Sequence, residues 1–161
     1  MKILGIDPGI ARVGWGIITV EKNKTTPIDY GCFETHKDTA EEIRLAEVFD
    51  FMTMLIDKHK PDKVSVEKLF FATNAKTALT VGQARGVIIL AAGRRKIPIS
   101  SYTPLEVKMA LTGYGRADKK QIQIMVKTLL KLDKEPRPDD AADALAVAIC
   151  CAHSLNYLER I

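Results

Sequence analysis

A chain of 161 residues, 47% hydrophobic and 27% charged with few aromatics, fits one globular α/β unit and excludes collagen-like and disordered classes. Roughly 70% of the unfolded surface of such a chain can be buried on folding, so no second domain is needed and residues 1–161 are expected to form one unit. A net charge of +4 permits nucleic-acid binding without requiring it.

Taken in chain order, Lys2 to Ile6 reads as a buried strand ending at Asp7-Pro8-Gly9, and Val13 to Val20 as a second strand, the pair forming a hairpin. Gly14-Trp15-Gly16 inside the second strand allows close backbone approach. A third strand is expected over Ile28 to Thr35, after the polar turn Glu21 to Thr26. From Thr39 to Lys58 the apolar residues Ile43, Ala46, Val48, Phe49, Met52, Leu55 and Ile56 recur at helical spacing, and Pro61 stops that helix. Lys63 to Glu67 is a short strand with Val64 and Val66 on one face, so Ser65 and Glu67 share the other. Asn74 can cap a long helix reaching about Arg94, in which Ala78, Gly82 and Gly86 make a seam that a second helix could approach closely. Ile97 to Ser101 is the last strand, followed by helices at Pro104 to Leu111, Asp118 to Lys131 and Pro138 to about Leu158. The order predicts an α/β fold, a mixed five-stranded sheet with helices on both faces.

Charge is unevenly distributed along this order. Acidic residues dominate Asp38 to Asp57, whereas Lys108, Arg116, Lys119, Lys120, Lys127, Lys131 and Lys134 outweigh Asp118 and Asp133, which suggests one basic face. Cys32, Cys150 and Cys151 form no CxxC pattern, and the adjacent pair sits in an apolar helical run, as expected in a reducing cytoplasm. No apolar run approaches the roughly 20 residues that cross a bilayer, so neither membrane anchoring nor export is expected.

The chemistry is carried by carboxylates at element ends: Asp7 closing the first strand, Glu67 closing the fourth, and Asp140 with Asp143 sharing a face at the start of the last helix. An open α/β sheet presents such ends along one edge, where residues remote in sequence converge. Each also has a plainer reading. Asp7 could stabilise its turn, and Asp139, Asp140 and Asp143 could serve a helix N-terminus; for Asp139, beside Pro138, the capping role is preferred. Glu67 lies between Val64-Ser65-Val66 and Leu69-Phe70-Phe71, and Asp143 within Ala141-Ala142-Asp143-Ala144-Leu145-Ala146, so both need a partner or a metal to offset desolvation. Clustered carboxylates repel one another, and a divalent cation resolves the conflict. All-oxygen donors select Mg²⁺ or Mn²⁺, and two such ions roughly 4 Å apart can activate a water and stabilise a leaving oxygen. His36, His59 and His153 show no metal-binding spacing and are read as surface or satisfied residues.

Gly5-Ile6-Asp7-Pro8-Gly9, Glu67 followed by Phe70 and Asn74, Gly82-Gln83-Ala84-Arg85-Gly86 and Asp140-Ala141-Ala142-Asp143-Ala144-Leu145-Ala146, in this order over nearly the whole chain, resemble the RuvC family of Holliday-junction resolvases. The resemblance implies a ribonuclease H-like fold and a homodimer that makes paired nicks in opposing strands of four-way junction DNA with Mg²⁺ or Mn²⁺. It places the acidic metal-binding and catalytic positions on Asp7, Glu67, Asp140 and Asp143, and functional lysines on Lys108 and Lys119. It also makes Phe70 a base-contacting aromatic, the Ala78, Gly82 and Gly86 seam the dimer helix, and a branch-migration motor complex a partner. Arg116 and Lys120, in the same basic block, are further candidates for DNA contact. Rival readings are a ribonuclease H-like nuclease acting on structured RNA and a junction-binding scaffold without catalysis. An actin-like ATPase, suggested by Gly5-Ile6-Asp7-Pro8-Gly9 alone, would need two such domains in a longer chain.

Overall fold

A computed structural model describes residues 1–22, 24–68 and 75–158, the side chains of 75–77 and 156–158 excepted. The strands are β1 (Lys2–Asp7), β2 (Arg12–Glu21), β3 (Lys24–Glu34), β4 (Lys63–Glu67) and β5 (Ile99–Tyr102). The helices are α1 (Glu41–His59), α2 (Ala75–Arg94), α3 (Pro104–Thr112), α4 (Lys119–Leu130) and α5 (Asp139–Leu158). One sheet runs in the order β3-β2-β1-β4-β5, antiparallel from β3 to β1 and parallel from β1 to β5.

The two-residue period of a strand decides which side of the sheet each residue serves. On one side Leu4 and Ile6 of β1, Val13 and Ile17 of β2, and Val64 and Val66 of β4 pack with Val48, Met52, Leu55 and Ile56 of α1 and Ile88, Ala91 and Ala92 of α2. The alternate residues face α5: Ile3 and Ile18 join a second core with Leu145, Ile149, Val107 and Leu111 of α3, and Ile122 and Val126 of α4. Asp7 and Glu67 follow Ile3 and Ser65 by even steps, so both belong to the α5 side. Ser65 marks that side, its hydroxyl donating 3.1 Å to the Val147 carbonyl of α5.

Helix α5 lies against the sheet because three positions beneath it lack a side chain. A Cβ at Gly5 would collide with the Ala144 carbonyl and the Ala148 amide, one at Gly14 with the Asp140 carbonyl, and one at Gly16 with the Leu145 side chain. Alanines on α5 complete the close fit, since Ala141, Ala142, Ala144, Ala148 and Ala152 are fully buried. The approach brings the first turns of α5 over the ends of β1 and β2.

Two strand boundaries differ from the sequence expectation. The third strand starts at Lys24 rather than Ile28, and Pro27 lies within it, which its edge position and the register shift between Ile17 and Ile18 accommodate. The fifth starts at Ile99 rather than Ile97, because the Ile97 amide donates to the Ala92 carbonyl at the end of α2. The proposed Asn74 cap lies outside the described residues.

Candidate active site

Asp7 ends β1 beside Gly14 of β2, and its neighbour Ile6 pairs with Val66, so Asp7 and Glu67 end adjacent parallel strands on the same face. Asp140 and Asp143 descend onto them from the first turns of α5. The four carboxylates singled out from sequence are therefore brought together. Burial, followed by the charges of Glu67, Asp143 and Asp140, pushes Asp7 up to about 8, against the smaller opposing pull of Lys119. The Glu67 carboxyl is raised by burial and by Asp143, while a side-chain hydrogen bond with Asp7 partly offsets the rise. A protonated Asp7 donating to an ionised Glu67 satisfies both observations. Asp143 is also raised, by burial first, with Lys119 opposing and Asp140 and Asp139 adding to it.

Cations from neighbouring elements compensate the rest of the charge. The Lys119 Nζ atom at the start of α4 lies 3.3 Å from Asp143 Oδ2 and 3.4 Å from Asp139 Oδ2. Arg12 at the start of β2 lies 3.7 Å from Asp140 Oδ2 and 2.9 Å from Glu34 Oε1. The α4 terminus is fixed by a capping box: the Gln121 amide donates 2.8 Å to Asp118 Oδ1, and the Asp118 amide donates 2.9 Å to Gln121 Oε1. Glu67 is held through its backbone, because Arg85 of α2 donates 3.2 Å to the Glu67 carbonyl and 2.8 Å to Ser101 Oγ of β5.

The donor set is all oxygen. The Cys32 thiol, near the cluster on β3, is pushed up to about 11 by burial and then by Asp140 and Glu34, so it is not a thiolate ligand at neutral pH. Among the described residues no group of three or more His, Cys, Asp or Glu side chains is placed to hold a metal ion as they stand. Lys119 and Arg12 supply counter-charges to Asp143 and Asp140. Half-buried, mutually repelling carboxylates of this kind suit a hard divalent cation.

The other sequence candidates divide. Lys120 is engaged by Glu135, with its Nζ 2.7 Å from each carboxylate oxygen. Arg116 is exposed, and Lys108 is half-buried on α3; among the described residues neither forms an ion pair. Phe70 lies outside the described residues. His153 is turned away from the carboxylates, its Nδ1 lying 3.0 Å from the Ala110 carbonyl. Asp139 does sit in the first turn of α5, yet its carboxylate is taken by side chains: Gln123 Nε2 at 3.1 Å, Arg137 Nη1 at 2.8 Å and Lys119. Arg12, Arg85 and Gln123 were not distinguished as site residues from sequence, because their partners are set by strand register and helix packing, which no local spacing reveals.

A mixed sheet of this order, with carboxylates from the two central strands and a covering helix converging on one face, is a ribonuclease H-like fold with an acidic active centre. Comparison with known proteins narrows that class. The family model described as crossover junction endodeoxyribonuclease RuvC matches residues 3–151, and the chain belongs to the RuvC family. It is 54% identical over 159 residues to the crossover junction endodeoxyribonuclease RuvC of Alkaliphilus oremlandii, covering 99% of this chain and 97% of that protein. The Thermus thermophilus RuvC structure superposes with a TM-score of 0.91 at 32% identity, over 98% of this chain and 96% of that one. The T. thermophilus RuvC structure in complex with Holliday junction substrate gives 0.89 at 30% identity, with the same coverage.

Proposed function

We propose that this chain is an endonuclease that resolves Holliday junctions by paired, symmetric, metal-dependent nicks in opposing strands during recombination and repair. The observation that carries the reading is the convergence of Asp7 with Glu67, Asp140 and Asp143 at the strand ends, an arrangement that is costly in a scaffold and useful around a cation. Family membership, and the junction bound to the T. thermophilus relative, support the substrate.

Asp7, Glu67, Asp140 and Asp143 would hold Mg²⁺, with Mn²⁺ as a substitute and two ions per site. When bound, the ions supply Lewis acidity, lowering the pKa of an attacking water and stabilising the departing 3′ oxygen, which leaves a 5′-phosphate and a 3′-hydroxyl. Asp7 would hold the metal as its carboxylate, the form its raised pKa disfavours without a cation, and Glu67 is kept in place by the Arg85 clamp on its carbonyl. Lys119, within ion-pair distance of Asp143, is placed to offset charge developing on the phosphate. Lys108 is assigned to the same phosphate, and Arg116 to the flanking DNA backbone. For Lys120 a DNA phosphate has to compete with Glu135. Phe70, three residues beyond Glu67, is assigned to stacking on a base near the junction centre.

We assign dimerisation to α2. Its inner face, Ala84, Ile88, Ala91 and Ala92, is buried in the chain's own core, whereas Leu79, Gln83, Gly86 and Leu90 form an exposed stripe bordered by Ala78 and Gly82. A two-fold pair would match the symmetry of a four-way junction. Residues 1–161 act as one nuclease domain, and a branch-migration motor complex is the expected partner. Cytoplasmic action fits the three free thiols, and among the described residues no helix is long and apolar enough to cross a membrane.

The test is a nicking assay on immobile and mobile four-way junctions with Mg²⁺, Mn²⁺ or chelator, with linear duplex and structured RNA as controls. Symmetric, metal-dependent cuts confined to the junction are expected. Bound but intact junctions would identify a scaffold, and preferential cutting of RNA a ribonuclease.

A further inference from the structure

We infer that Asp139 is a positioning residue for Lys119: it anchors the ammonium from outside the metal-binding set, so that Lys119 can leave Asp143 for the substrate phosphate without swinging into solvent. The inference rests on the reading of Lys119 as the phosphate-facing cation. Its basis is the way α4 and α5 face each other. Lys119 and Gln123 are one turn apart on α4, and Asp139 and Asp143 are one turn apart on α5, so each pair presents a single helix face. Asp139 touches both members of the α4 pair: Oδ1 accepts from Gln123 Nε2 at 3.1 Å, and Oδ2 lies 3.4 Å from Lys119 Nζ.

Several features separate this contact from an ordinary surface ion pair. Gln123 is 5% exposed, one of two buried polar residues in the described core, so the group that orients Asp139 is itself fixed by packing. Arg137 adds a second donor to the same oxygen at 2.8 Å, which leaves Oδ2 for the lysine. Lys119 also occupies the first position of α4, where the unpaired backbone amides disfavour a cation, so its placement needs compensating carboxylates. Asp143 alone would compensate it in the resting state. However, Asp143 is assigned to the metal, and once its charge is committed there, only Asp139 continues to hold the ammonium at the edge of the site.

The experiment compares Asp139→Ala, Asp139→Glu, Lys119→Ala and the Asp139→Ala, Lys119→Ala double variant in single-turnover cleavage of a four-way junction at saturating protein and Mg²⁺. Junction affinity is measured in chelator, and the order of the Lys119 side chain is followed by NMR in metal-free protein carrying Asp143→Asn, which withdraws the second carboxylate as metal binding would. Asp139→Ala should slow cleavage roughly tenfold to a hundredfold, the range expected for a displaced catalytic group, with junction affinity nearly unchanged. Asp139→Glu should recover most of the rate, the double variant should be no slower than Lys119→Ala, and Lys119 should lose order only when Asp139 is truncated.

Equal slowing by Asp139→Ala in the presence and absence of Lys119 would overturn the inference, as would an unaltered Lys119 order or an indifferent Lys119→Ala. A several-fold rise in the Mg²⁺ concentration needed for half-maximal cleavage would make Asp139 a ligand and also overturn it. Failure of the unaltered protein to cut any junction would instead remove the resolvase reading, and the NMR comparison would still decide whether Asp139 orders Lys119.

Discussion

Asp7 concentrates the cost of the active site in one side chain. Its folded pKa, about 8, lies above the ordinary value of 3.8, so the folded state binds its proton more tightly than the unfolded state does. The stability associated with that proton is present in full below about pH 4 and is lost as pH rises through about 8. Metal-free protein should therefore melt at progressively lower temperature from pH 5 to pH 8.5, and Asp7→Asn should flatten the decline; thermal denaturation in chelator measures both. With Mg²⁺ and a junction, the same variant should bind DNA with near-native affinity and fail to cut it, as binding and nicking assays would show. Loss of binding along with cutting would point to a structural Asp7. Glu67 and Asp143 were legible in the sequence because a charge inside an apolar segment has few plain explanations, and Asp7 and Asp140 because of the blocks they sit in. Arg12 and Gln123 were not, since nothing in Arg12's neighbourhood predicts that strand register delivers it to Glu34 and Asp140, and a glutamine in an amphipathic helix gives no sign of being buried.

At the scale of elements, the site depends on how closely α5 approaches β1 and β2. Gly5→Ala should destabilise the protein by about 1–3 kcal/mol, as overpacking does, because the Ala144 carbonyl and Ala148 amide it meets are backbone that cannot rotate away. Denaturant unfolding measures the loss, and residual cleavage should fall further than stability alone explains as Asp140 and Asp143 move off the strand ends. The α4 start offers a gentler probe. Asp118→Ala removes the carboxylate that accepts from the Gln121 amide, should cost about 1 kcal/mol, and should lower cleavage through the frayed first turn that carries Lys119. The sequence located every strand and helix, because apolar periodicity and Pro or Gly punctuation agree along most of the chain. It misplaced the start of β3, where a proline normally argues against a strand, and of β5, where helix-ending hydrogen bonds claim a residue with strand character.

In the whole molecule, the sheet separates two tasks. Helices α3, α4 and α5 lie on the side that bears the carboxylates, while α1 and α2 cover the other, with the outer stripe of α2 left exposed. Gly86→Glu on that stripe adds a charge where, among the described residues and beyond the helix's own adjacent backbone, a new Cβ meets nothing within 4 Å, so the protomer should keep its fold. For the proposed dimer the expected outcome is a shift to monomer in sedimentation, with paired cuts replaced by single nicks. An unchanged dimer would place the interface elsewhere. This division could be read from sequence only in part. Alternation in Val64-Ser65-Val66-Glu67 showed that the strand has two different faces, but which helices cover each face follows from the chain's path and not from any local pattern.

The bare strip formed by Gly5, Gly14 and Gly16 also bears on which substitutions this gene can accept. None of the three carries a functional group, yet each occupies a place where one added carbon displaces the helix that delivers two of the four acids. In a saturation mutagenesis screen for repair-proficient cells, these positions should be as intolerant as Asp7 itself, and substitutions at the exposed Gly93 should pass with little effect.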